Sequence, residues 1–407
     1  MKGLIKKIVK ACFKPKSTKY FMQGFTLIEL LVALVVGSII ISSLLAFMVD
    51  ILQSDRQEQV KAITEQEIQT ALDYIARDLE TAVYIYDADG LYGVAPQGDP
   101  TNPIINQLPP LPAEKQGVPV LVFWKRSVLA RDSEVTLRNS NRARVGCLVG
   151  IPPTSTPDLL NCLGQNPPGN EQDHALYSLV AYYLVRDTTC SSTNTFSCTT
   201  RIERFEVRDG IRFNDSASGN RTPRDGTRTE PNNLQPVKYD LQPSFGFIRF
   251  NLSGPGDTLQ QKMNQWRRHP NENYDLNRDK FITLVDYIDQ SRLATAPNLR
   301  LPEENDCKST VSQSAQITPQ VMTRNGAPTI HPTIPEQLQT GSFYACVDSN
   351  PQGILARVYI RGNALARTVG KHDERAILNR ATFTNNRAAY FPESSVQIRA
   401  RGLLNAK

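Results

Sequence analysis

The sequence has little histidine and lacks the short motifs that mark common catalytic sites. A nucleophile elbow (Gly-x-Ser-x-Gly), a Walker phosphate loop, a Gly-x-Gly-x-x-Gly fingerprint and a Cys-x-x-Cys pair are all absent. The four histidines of the 407-residue chain show no metal-ligand spacing: His174, His269, His331 and His372. We therefore do not expect an enzyme. The alternative, a membrane-anchored exported enzyme, requires a catalytic cluster that only the fold can assemble.

Net charge is also nearly absent beyond residue 24. Residues 1–24 contain no acidic residue and seven lysines: Lys2, Lys6, Lys7, Lys10, Lys14, Lys16 and Lys19. Without these lysines, the 46 basic residues of the chain fall to 39, against 40 acidic residues. Nucleic-acid binding needs a concentrated basic face, so no nucleic-acid partner is expected. The basic residues mark a topogenic leader, and positive flanks of membrane segments stay cytoplasmic.

Between Phe25 and Val49 the only ionisable side chain is Glu29. A helix of this length spans roughly 37 Å, enough to cross a hydrocarbon core of about 30 Å. A carboxylate near the bilayer centre costs about 2.5–3.5 kcal/mol or more, so Glu29 is expected to have a partner. A plain signal anchor with Glu29 near the headgroups is the alternative. The junction of Gly24 and Phe25, however, lacks the small-residue cleavage site of an ordinary secretory signal.

The run Gly24-Phe25-Thr26-Leu27-Ile28-Glu29-Leu30-Leu31-Val32 resembles the cleavage and methylation segment of type IV prepilins and type II secretion pseudopilins. The resemblance implies that a prepilin peptidase cuts after Gly24 and that the new N-terminal Phe25 is N-methylated. It implies that Glu29 meets the N-terminal ammonium of a neighbouring subunit during assembly. The implied partners are other pilins or pseudopilins, the peptidase and an inner-membrane assembly platform.

The same resemblance implies a single-pass inner-membrane protein with a cytoplasmic N-terminus and a periplasmic C-terminal domain, which is extracted into a filament on assembly. The implied fold is α+β: a long N-terminal membrane-spanning helix, the stalk, packed on an antiparallel sheet domain with long loops. We predict a leader at 1–24, removed on processing, a transmembrane half of the stalk at 25–49, an amphipathic half at 50–86 and an exported domain at 87–407.

The stalk helix is predicted to continue to about Tyr84, because no proline occurs between Phe25 and Gly93. Its apolar positions recur at helical spacing: Ile68, Ala71, Leu72, Ile75 and Leu79. Apolar runs bounded by turn residues predict strands at 118–124, 176–185, 201–207, 245–252, 343–347, 354–360, 376–383 and 396–399. The arginine-rich stretch 209–236 is interleaved with acidic residues and favours a solvated loop over an anion-binding surface.

Six cysteines remain beyond the leader, an even number that suggests disulfides in an exported domain. Fifteen pairings are possible, and sequence alone does not choose between them. Proximity in sequence favours Cys147–Cys162, Cys190–Cys198 and Cys307–Cys346 as a hypothesis. Unpaired buried thiols are the alternative.

The segment 275–286 predicts a structural calcium site between two helices, in an insertion near 257–293. Oxygen ligands recur at alternate positions of this segment, followed by a final carboxylate: Asp275, Asn277, Asp279, Phe281 through its carbonyl, Thr283 and Asp286. The pattern resembles an EF-hand loop, or more closely the dockerin variant. Lys280 departs from it, because the pattern requires glycine there. An acidic loop without calcium is the alternative.

These observations predict a minor pseudopilin that assists export, and its segment 72–80 resembles minor pseudopilins of the J or W type. More loosely, the chain resembles a pseudopilin associated with hormogonium polysaccharide secretion in filamentous cyanobacteria. Long loops fit a filament tip better than a shaft, where every protrusion recurs at each short axial step. The alternative is a tip adhesin of a type IV pilus that binds a surface, a glycan or DNA.

Overall fold

The computed structural model describes residues 26–93, 102–136, 142–146, 173–210, 243–292, 296–299, 302–319, 321–324, 327–330, 334–349 and 354–401. The chain divides into two compact units, which we call the N-terminal unit (1–56) and the C-terminal unit (57–407). The predicted leader, the junction of Gly24 and Phe25, Cys147, Cys162 and most of the arginine-rich stretch lie outside the described residues.

The longest element is helix α1, Leu27–Glu80, with 54 residues. In the N-terminal unit it is apolar on every side, and its large hydrophobic side chains are exposed, from Leu27 to Leu52. Its most apolar window has a mean hydropathy of 2.7, which is long and apolar enough for a membrane span. The absence of proline predicted this uninterrupted course.

In the C-terminal unit, α1 buries one face against the rest of the chain. The buried residues are Thr64, Ile68, Ala71, Leu72, Ile75 and Leu79, which include all five predicted apolar positions. The helix ends at Glu80, so the prediction that it continues to about Tyr84 is wrong. Strand β1, Ala82–Ile85, begins two residues later and is buried throughout. Its β-branched and aromatic residues suit a strand that is covered on both faces.

Two antiparallel sheets form the framework of the C-terminal unit. The first sheet adds to β1 the strands β2 (Lys115–Leu129), β5 (His174–Asp187), β6 (Thr200–Arg208) and β7 (Ile282–Ile288), in the order β1-β2-β5-β6-β7. The second contains β8 (Gln316–Thr318), β11 (Phe343–Asp348), β12 (Leu355–Arg361) and β13 (Glu393–Arg399), in the order β13-β12-β11-β8. Two short pairs accompany them: β3 (Glu134–Thr136) with β4 (Arg142–Arg144), and β9 (Val321–Arg324) with β10 (Ala327–Ile330).

The main core lies where α1 meets both sheets. Ile68 and Leu72 of the helix share one buried cluster with Phe123 of β2 and Val358 of β12. The opposite face of the five-stranded sheet is covered by residues 243–281. At its centre Trp124 contacts Phe247, Phe250 and Trp266 with ring centroids 5.1–5.9 Å apart. The fold is therefore the predicted α+β arrangement, with a helix packed on antiparallel sheet.

The described residues also form four short α-helices: α2 (Ala88–Tyr92), α3 (Leu259–Asn264), α4 (Glu304–Thr310) and α5 (Glu374–Arg380). Short 3-10 helices occur at Ile104–Gln107, Glu336–Leu338, Leu365–Thr368 and Asn385–Tyr390. The strand predicted at 376–383 is wrong, because α5 occupies most of this stretch. The side chain of Asp373 caps the start of this helix by accepting a hydrogen bond from the Ala376 amide at 2.9 Å. The stretch 245–252 is not a strand either and instead contributes Phe247 and Phe250 to the aromatic layer. The other six predicted strands overlap observed ones.

Candidate functional site

Glu29 lies in the first turn of α1 and is exposed. The Thr26 hydroxyl donates to Glu29 Oε2 at 3.5 Å, and the Glu29 amide donates to Thr26 Oγ1 at 3.4 Å. These contacts start the helix, because a threonine before the first turn accepts from one of its unpaired amides. Among the residues that the structure describes, no lysine or arginine forms an ion pair with Glu29. Its carboxylate therefore keeps acceptor capacity for a cation from elsewhere.

The residues around Glu29 add only apolar surface. Leu27, Ile28, Leu30 and Leu31 are each more than half exposed. Gly37, further along the same half of the helix, has no described atom within 4 Å of where a Cβ would stand. This half of α1 thus presents a continuous apolar surface to its surroundings, with one carboxylate near its start. Such a surface is stable in a lipid bilayer or against other apolar helices.

The other end of α1 is attached to the five-stranded sheet through a charged cluster around Asp78. Arg204 Nε lies 2.7 Å from Asp78 Oδ2, and Lys125 Nζ lies 3.2 Å from Oδ1. The Tyr182 hydroxyl donates to Asp78 Oδ2 at 2.7 Å. Glu206 balances the two cations, at 2.8 Å from Arg204 and 3.2 Å from Lys125. The cluster fixes the end of the helix on strands β2, β5 and β6.

The charges of this cluster determine the proton affinity of its carboxylates. Burial by itself raises the pKa of Asp78, but Arg204 and Lys125 outweigh burial and hold that pKa below its usual value of 3.8. The same balance lowers the pKa of Glu206. Both groups are therefore ionised at neutral pH, and each stabilises the attachment of α1 in its charged form. The sequence analysis did not identify this cluster, because its members are far apart in the chain.

A second attachment lies at the start of the buried face, in the turn that contains Thr64 and Glu67. Arg367 Nε donates to Thr64 Oγ1 at 3.0 Å, and its guanidinium forms an ion pair with Glu67. Gly362 lies against the same turn, where an added Cβ would stand 2.5 Å from Thr64 Cγ2 and 2.7 Å from Ile68 Cδ1. The absence of a side chain at Gly362 thus allows the close approach of α1 to the end of β12.

Two of the three predicted disulfides are present. Cys190–Cys198 closes the turn between β5 and β6, with Cα atoms 5.4 Å apart. Cys307–Cys346 ties α4 to β11, with Cα atoms 5.2 Å apart. Both bonds fit a domain that folds in an oxidising compartment. The third pair, Cys147–Cys162, lies outside the described residues and stays a prediction.

The residues of the predicted calcium loop do not converge on one point. The Asp275 side chain accepts from the amide of Asn277 at 3.0 Å and so closes its own turn. Asp279 forms an ion pair with Arg208 at 2.6 Å. Asp286 instead accepts from the amide and hydroxyl of Ser197, at 2.9 and 2.7 Å.

The surrounding elements differ from a helix-loop-helix as well. The predicted outgoing helix is wrong, because β7 occupies 282–288, and the incoming helix is reduced to the short α3. Phe281 packs its ring against Phe205 at 4.6 Å, and the Thr283 hydroxyl donates to Glu203 at 3.4 Å. Within the described part of the chain, no three His, Cys, Asp or Glu side chains are grouped as metal ligands. In this conformation the carboxylates of Asp279 and Asp286 have protein partners, and calcium binding stays a prediction of the sequence.

Comparison with known families matches one segment of the chain. Residues 22–45 match the model of the prokaryotic N-terminal methylation motif. Compared with curated proteins and with solved structures, the chain gives no match. The matched segment contains the predicted cleavage junction, Glu29 and the apolar start of α1. The chain therefore carries a type IV pilin-like signal over this segment.

Proposed function

We propose that this chain is a minor pseudopilin, cut after Gly24, N-methylated on Phe25 and assembled into a filament through its N-terminal helix. The observation that carries the proposal is the exposed apolar half of α1 with Glu29 at its start, within the matched methylation motif. A carboxylate in such surroundings needs a cation, and cleavage after Gly24 creates one at the new N-terminus. In a filament, that ammonium group belongs to the neighbouring subunit.

The proposed topology places the lysine-rich leader in the cytoplasm and the C-terminal unit in the periplasm. Seven lysines precede the apolar segment, and cytoplasmic flanks are enriched in such residues. The disulfides Cys190–Cys198 and Cys307–Cys346 support the same direction, because disulfides persist in oxidising compartments. Among the described residues, one helix is long and apolar enough to cross a membrane, which fits a single-pass inner-membrane anchor.

The proposed work of the protein is mechanical. An assembly platform and a separate ATPase lift subunits out of the bilayer, and the growing filament promotes export, here of polysaccharide. The large C-terminal unit, with strands joined by long connections, suits the tip of a filament rather than its repeated shaft. The alternative is a tip adhesin, which binds a surface, a glycan or DNA without assisting export.

Replacing Gly24 tests the processing step. A bulky residue such as Gly24→Leu should block the peptidase, so the full-length precursor should accumulate in membranes. Gly37→Leu, in the same apolar helix but away from the junction, is the matched control and should be processed normally. Immunoblotting of membrane fractions separates precursor from mature protein. A mature-sized band from Gly24→Leu would contradict the cleavage site.

Replacing Glu29 tests the assembly step separately. Glu29→Ala should still be cleaved but should be lost from sheared or cross-linked filaments, since the cation of the neighbour loses its partner. Glu58→Ala removes an exposed carboxylate from the same helix outside the apolar half and serves as control. Normal filament incorporation of Glu29→Ala would contradict the proposed ion pair.

Export and adhesion are distinguished by a deletion strain. Loss of secreted polymer with surface attachment intact supports export of polysaccharide. Loss of attachment with secretion intact supports the adhesin alternative.

A further inference from the structure

Strand β13 forms one edge of the four-stranded sheet, and no described strand pairs with its outer side. Its pairing with β12 is regular over all seven residues. The edge strand β7 of the first sheet differs, because its register with β6 is shifted and its last residue, Ile288, forms a bridge with Gly362. A regular strand with an unpaired edge is the form of sheet that most readily accepts a further strand.

The direction of the backbone groups of β13 follows from two hydrogen bonds that flank the strand. The Gly362 amide donates to the Pro392 carbonyl at 2.9 Å, and the Ala400 amide donates to the Ile354 carbonyl at 3.0 Å. Hydrogen-bonded pairs alternate along an antiparallel ladder, so the even-numbered residues of β13 bond to β12. The amides and carbonyls of the odd-numbered residues therefore point to the outer edge.

Ser395 and Gln397 lie at the centre of this open edge. Both are exposed, and their backbone groups on the outer side have no partner among the described residues. The edge is closed further along, where the Arg401 amide donates to the Glu80 carbonyl of α1 at 3.1 Å. The open stretch from Glu393 to Gln397 is about 17 Å long. The strand contains no lysine, proline or bulge that would protect it from pairing.

The flank of α1 beside this open edge is acidic. The Gln69 side-chain amide donates to Ser394 Oγ at 2.8 Å, which places this flank of the helix against the start of β13. At about 100° per residue, Glu65, Asp73 and Glu80 lie within about 40° of Gln69 around the helix axis. All three carboxylates are exposed, and none forms an ion pair within the described residues. They give one side of the open edge a row of negative charge.

We propose that the edge of β13 binds an extended segment of another protein, which adds to the sheet as a strand and turns basic side chains toward α1. Backbone hydrogen bonds to the odd-numbered residues hold the segment, and the row of carboxylates selects its charge. Every second side chain of an added strand faces the side of the sheet that carries α1. Lysine or arginine at alternate positions therefore meets the acidic flank.

A second copy of this chain fits the edge less well. Antiparallel pairing of two β13 edges would place both α1 helices on the same side of the joined sheet, one on each side of the junction. Their acidic flanks would then face each other, and like charges oppose such pairing. The inferred surface goes beyond the proposed filament function and does not depend on it, because it is formed within a single chain.

Binding of designed peptides to the full chain tests the proposal. The protein is reconstituted in nanodiscs of phosphatidylcholine, which has no net charge, and empty nanodiscs serve as the blank. The probe is a labelled peptide, Lys-Thr-Lys-Val-Lys-Thr-Lys-Val, and its comparator has glutamate in place of lysine. Fluorescence anisotropy measures both affinities. We expect the lysine peptide to bind, and the glutamate peptide to bind at least about tenfold more weakly.

Two N-methylated isomers of the lysine peptide distinguish strand addition from simple attraction of charge. One isomer carries methyl groups on its odd-numbered amides and the other on its even-numbered amides, so their charges are identical. An added strand bonds to β13 through only one of these two sets. One isomer should therefore lose binding while the other keeps it. Equal affinities of the two isomers would overturn the proposal.

Three variants connect binding to this surface. Gln397→Pro removes an amide that β12 does not use and blocks the open edge with its ring, so binding should weaken about tenfold. Asp73→Lys should weaken binding of the lysine peptide and strengthen binding of the glutamate peptide. Glu114→Lys makes the same change of charge at an exposed residue beside β2 and is the matched control.

Each outcome supports or overturns the proposal. Failure of the lysine peptide to bind would overturn it, as would unchanged affinity in both Gln397→Pro and Asp73→Lys. Association of loaded nanodiscs that Gln397→Pro abolishes would replace the partner segment with a second copy. If Gln397→Pro fails to fold, Asp73→Lys and the two N-methylated isomers decide the result. Because purified protein is used, the result is independent of cleavage and filament assembly.

Discussion

The two halves of α1 belong to one helix but have opposite surroundings. Before Gln57, the large apolar side chains are exposed and none of the described residues is buried. From Gln57 to Glu80, a stripe of apolar residues is buried and charged residues occupy the other faces. The helix backbone is the same in both halves, so the difference lies in what each half must contact. The second half finds its partners within the chain, whereas the described part of the chain leaves the apolar surface of the first half uncovered.

The polar groups follow the same division. Asp78, in the second half, has an arginine, a lysine and a tyrosine within hydrogen-bond distance. The side-chain carboxylate of Glu29, in the first half, has a hydrogen bond only with Thr26 among the described residues. A carboxylate is costly inside a protein or a lipid bilayer unless it has a partner. The comparison therefore shows that the partner of Asp78 is intramolecular and supports an intermolecular partner for Glu29.

The largest expected effect comes from core packing, which only the second half of α1 contributes to. Leu72 is 1 % exposed and Leu44 is 61 % exposed. Leu72→Ala should lower the free energy of unfolding of the C-terminal unit by about 2–5 kcal/mol, because it leaves a cavity under both sheets. Leu44→Ala, the matched control, should leave that free energy unchanged. Urea unfolding followed by the fluorescence of Trp124 and Trp266 measures both. Equal effects would contradict the division of α1.

The next effect tests the Asp78 cluster. Asp78→Asn should lower the free energy of unfolding by roughly 1.5–3 kcal/mol at neutral pH, the range for hydrogen bonds to charged groups. Because the folded-state pKa of Asp78 is below 3.8, its stabilising contribution is present above that value and is lost as pH falls through the folded-state pKa. The variant and the wild type should therefore begin to approach each other near pH 4 and converge only below the folded-state pKa of Asp78. A difference that persists in acid would exclude the ionised cluster as the cause.

A smaller effect distinguishes two glycines: Gly37, within the first half of α1, and Gly362, which packs against the second half. Gly362→Ala places a methyl group against Thr64 and Ile68, and this overpacking should lower the free energy of unfolding of the C-terminal unit by about 1–3 kcal/mol. Gly37→Ala meets no described atom within 4 Å and should leave the C-terminal unit unaffected. Thermal unfolding of both variants checks the expectation. If Gly362→Ala were neutral, the close packing of α1 at this turn would be in doubt.

The smallest effect concerns calcium. The carboxylates of Asp279 and Asp286 already have protein partners, so calcium or a chelator should shift the melting temperature little. Calorimetric titration of the full chain with calcium checks this directly. A clear binding heat with a rise in melting temperature would show that segment 275–286 rearranges into the loop that its sequence pattern predicts.

The sequence predicted those features that depend on local periodicity. The spacing of Ile68, Leu72, Ile75 and Leu79 fixes one buried face whatever that face contacts. Apolar runs bounded by turn residues identified β2, β5, β6, β11, β12 and β13, but not β1, β7 or β8. The cleavage motif was recognisable because its chemistry lies in consecutive residues, from Gly24 to Glu29. Two disulfide pairs followed from proximity in the chain.

The features that the sequence did not predict depend on tertiary contacts. Segment 282–288 has a helix-compatible pattern, but its pairing with β6 makes it a strand. Asp78 and Arg204 are 126 positions apart, so only the packing of α1 on β6 brings them together. Tyr344 and Tyr359 become neighbours through the register of β11 and β12. An aromatic at an outward position of each strand was the available signal, but it gave no information on register.

The central claim is that the apolar half of α1 begins at a processed N-terminus. The intact mass of the protein purified from its native membranes tests this claim most directly, with fragmentation to locate any modification. We expect a chain that begins at Phe25 and carries one added methyl group on its N-terminal nitrogen. A chain that begins at Met1, or at any residue within the apolar segment, would contradict it.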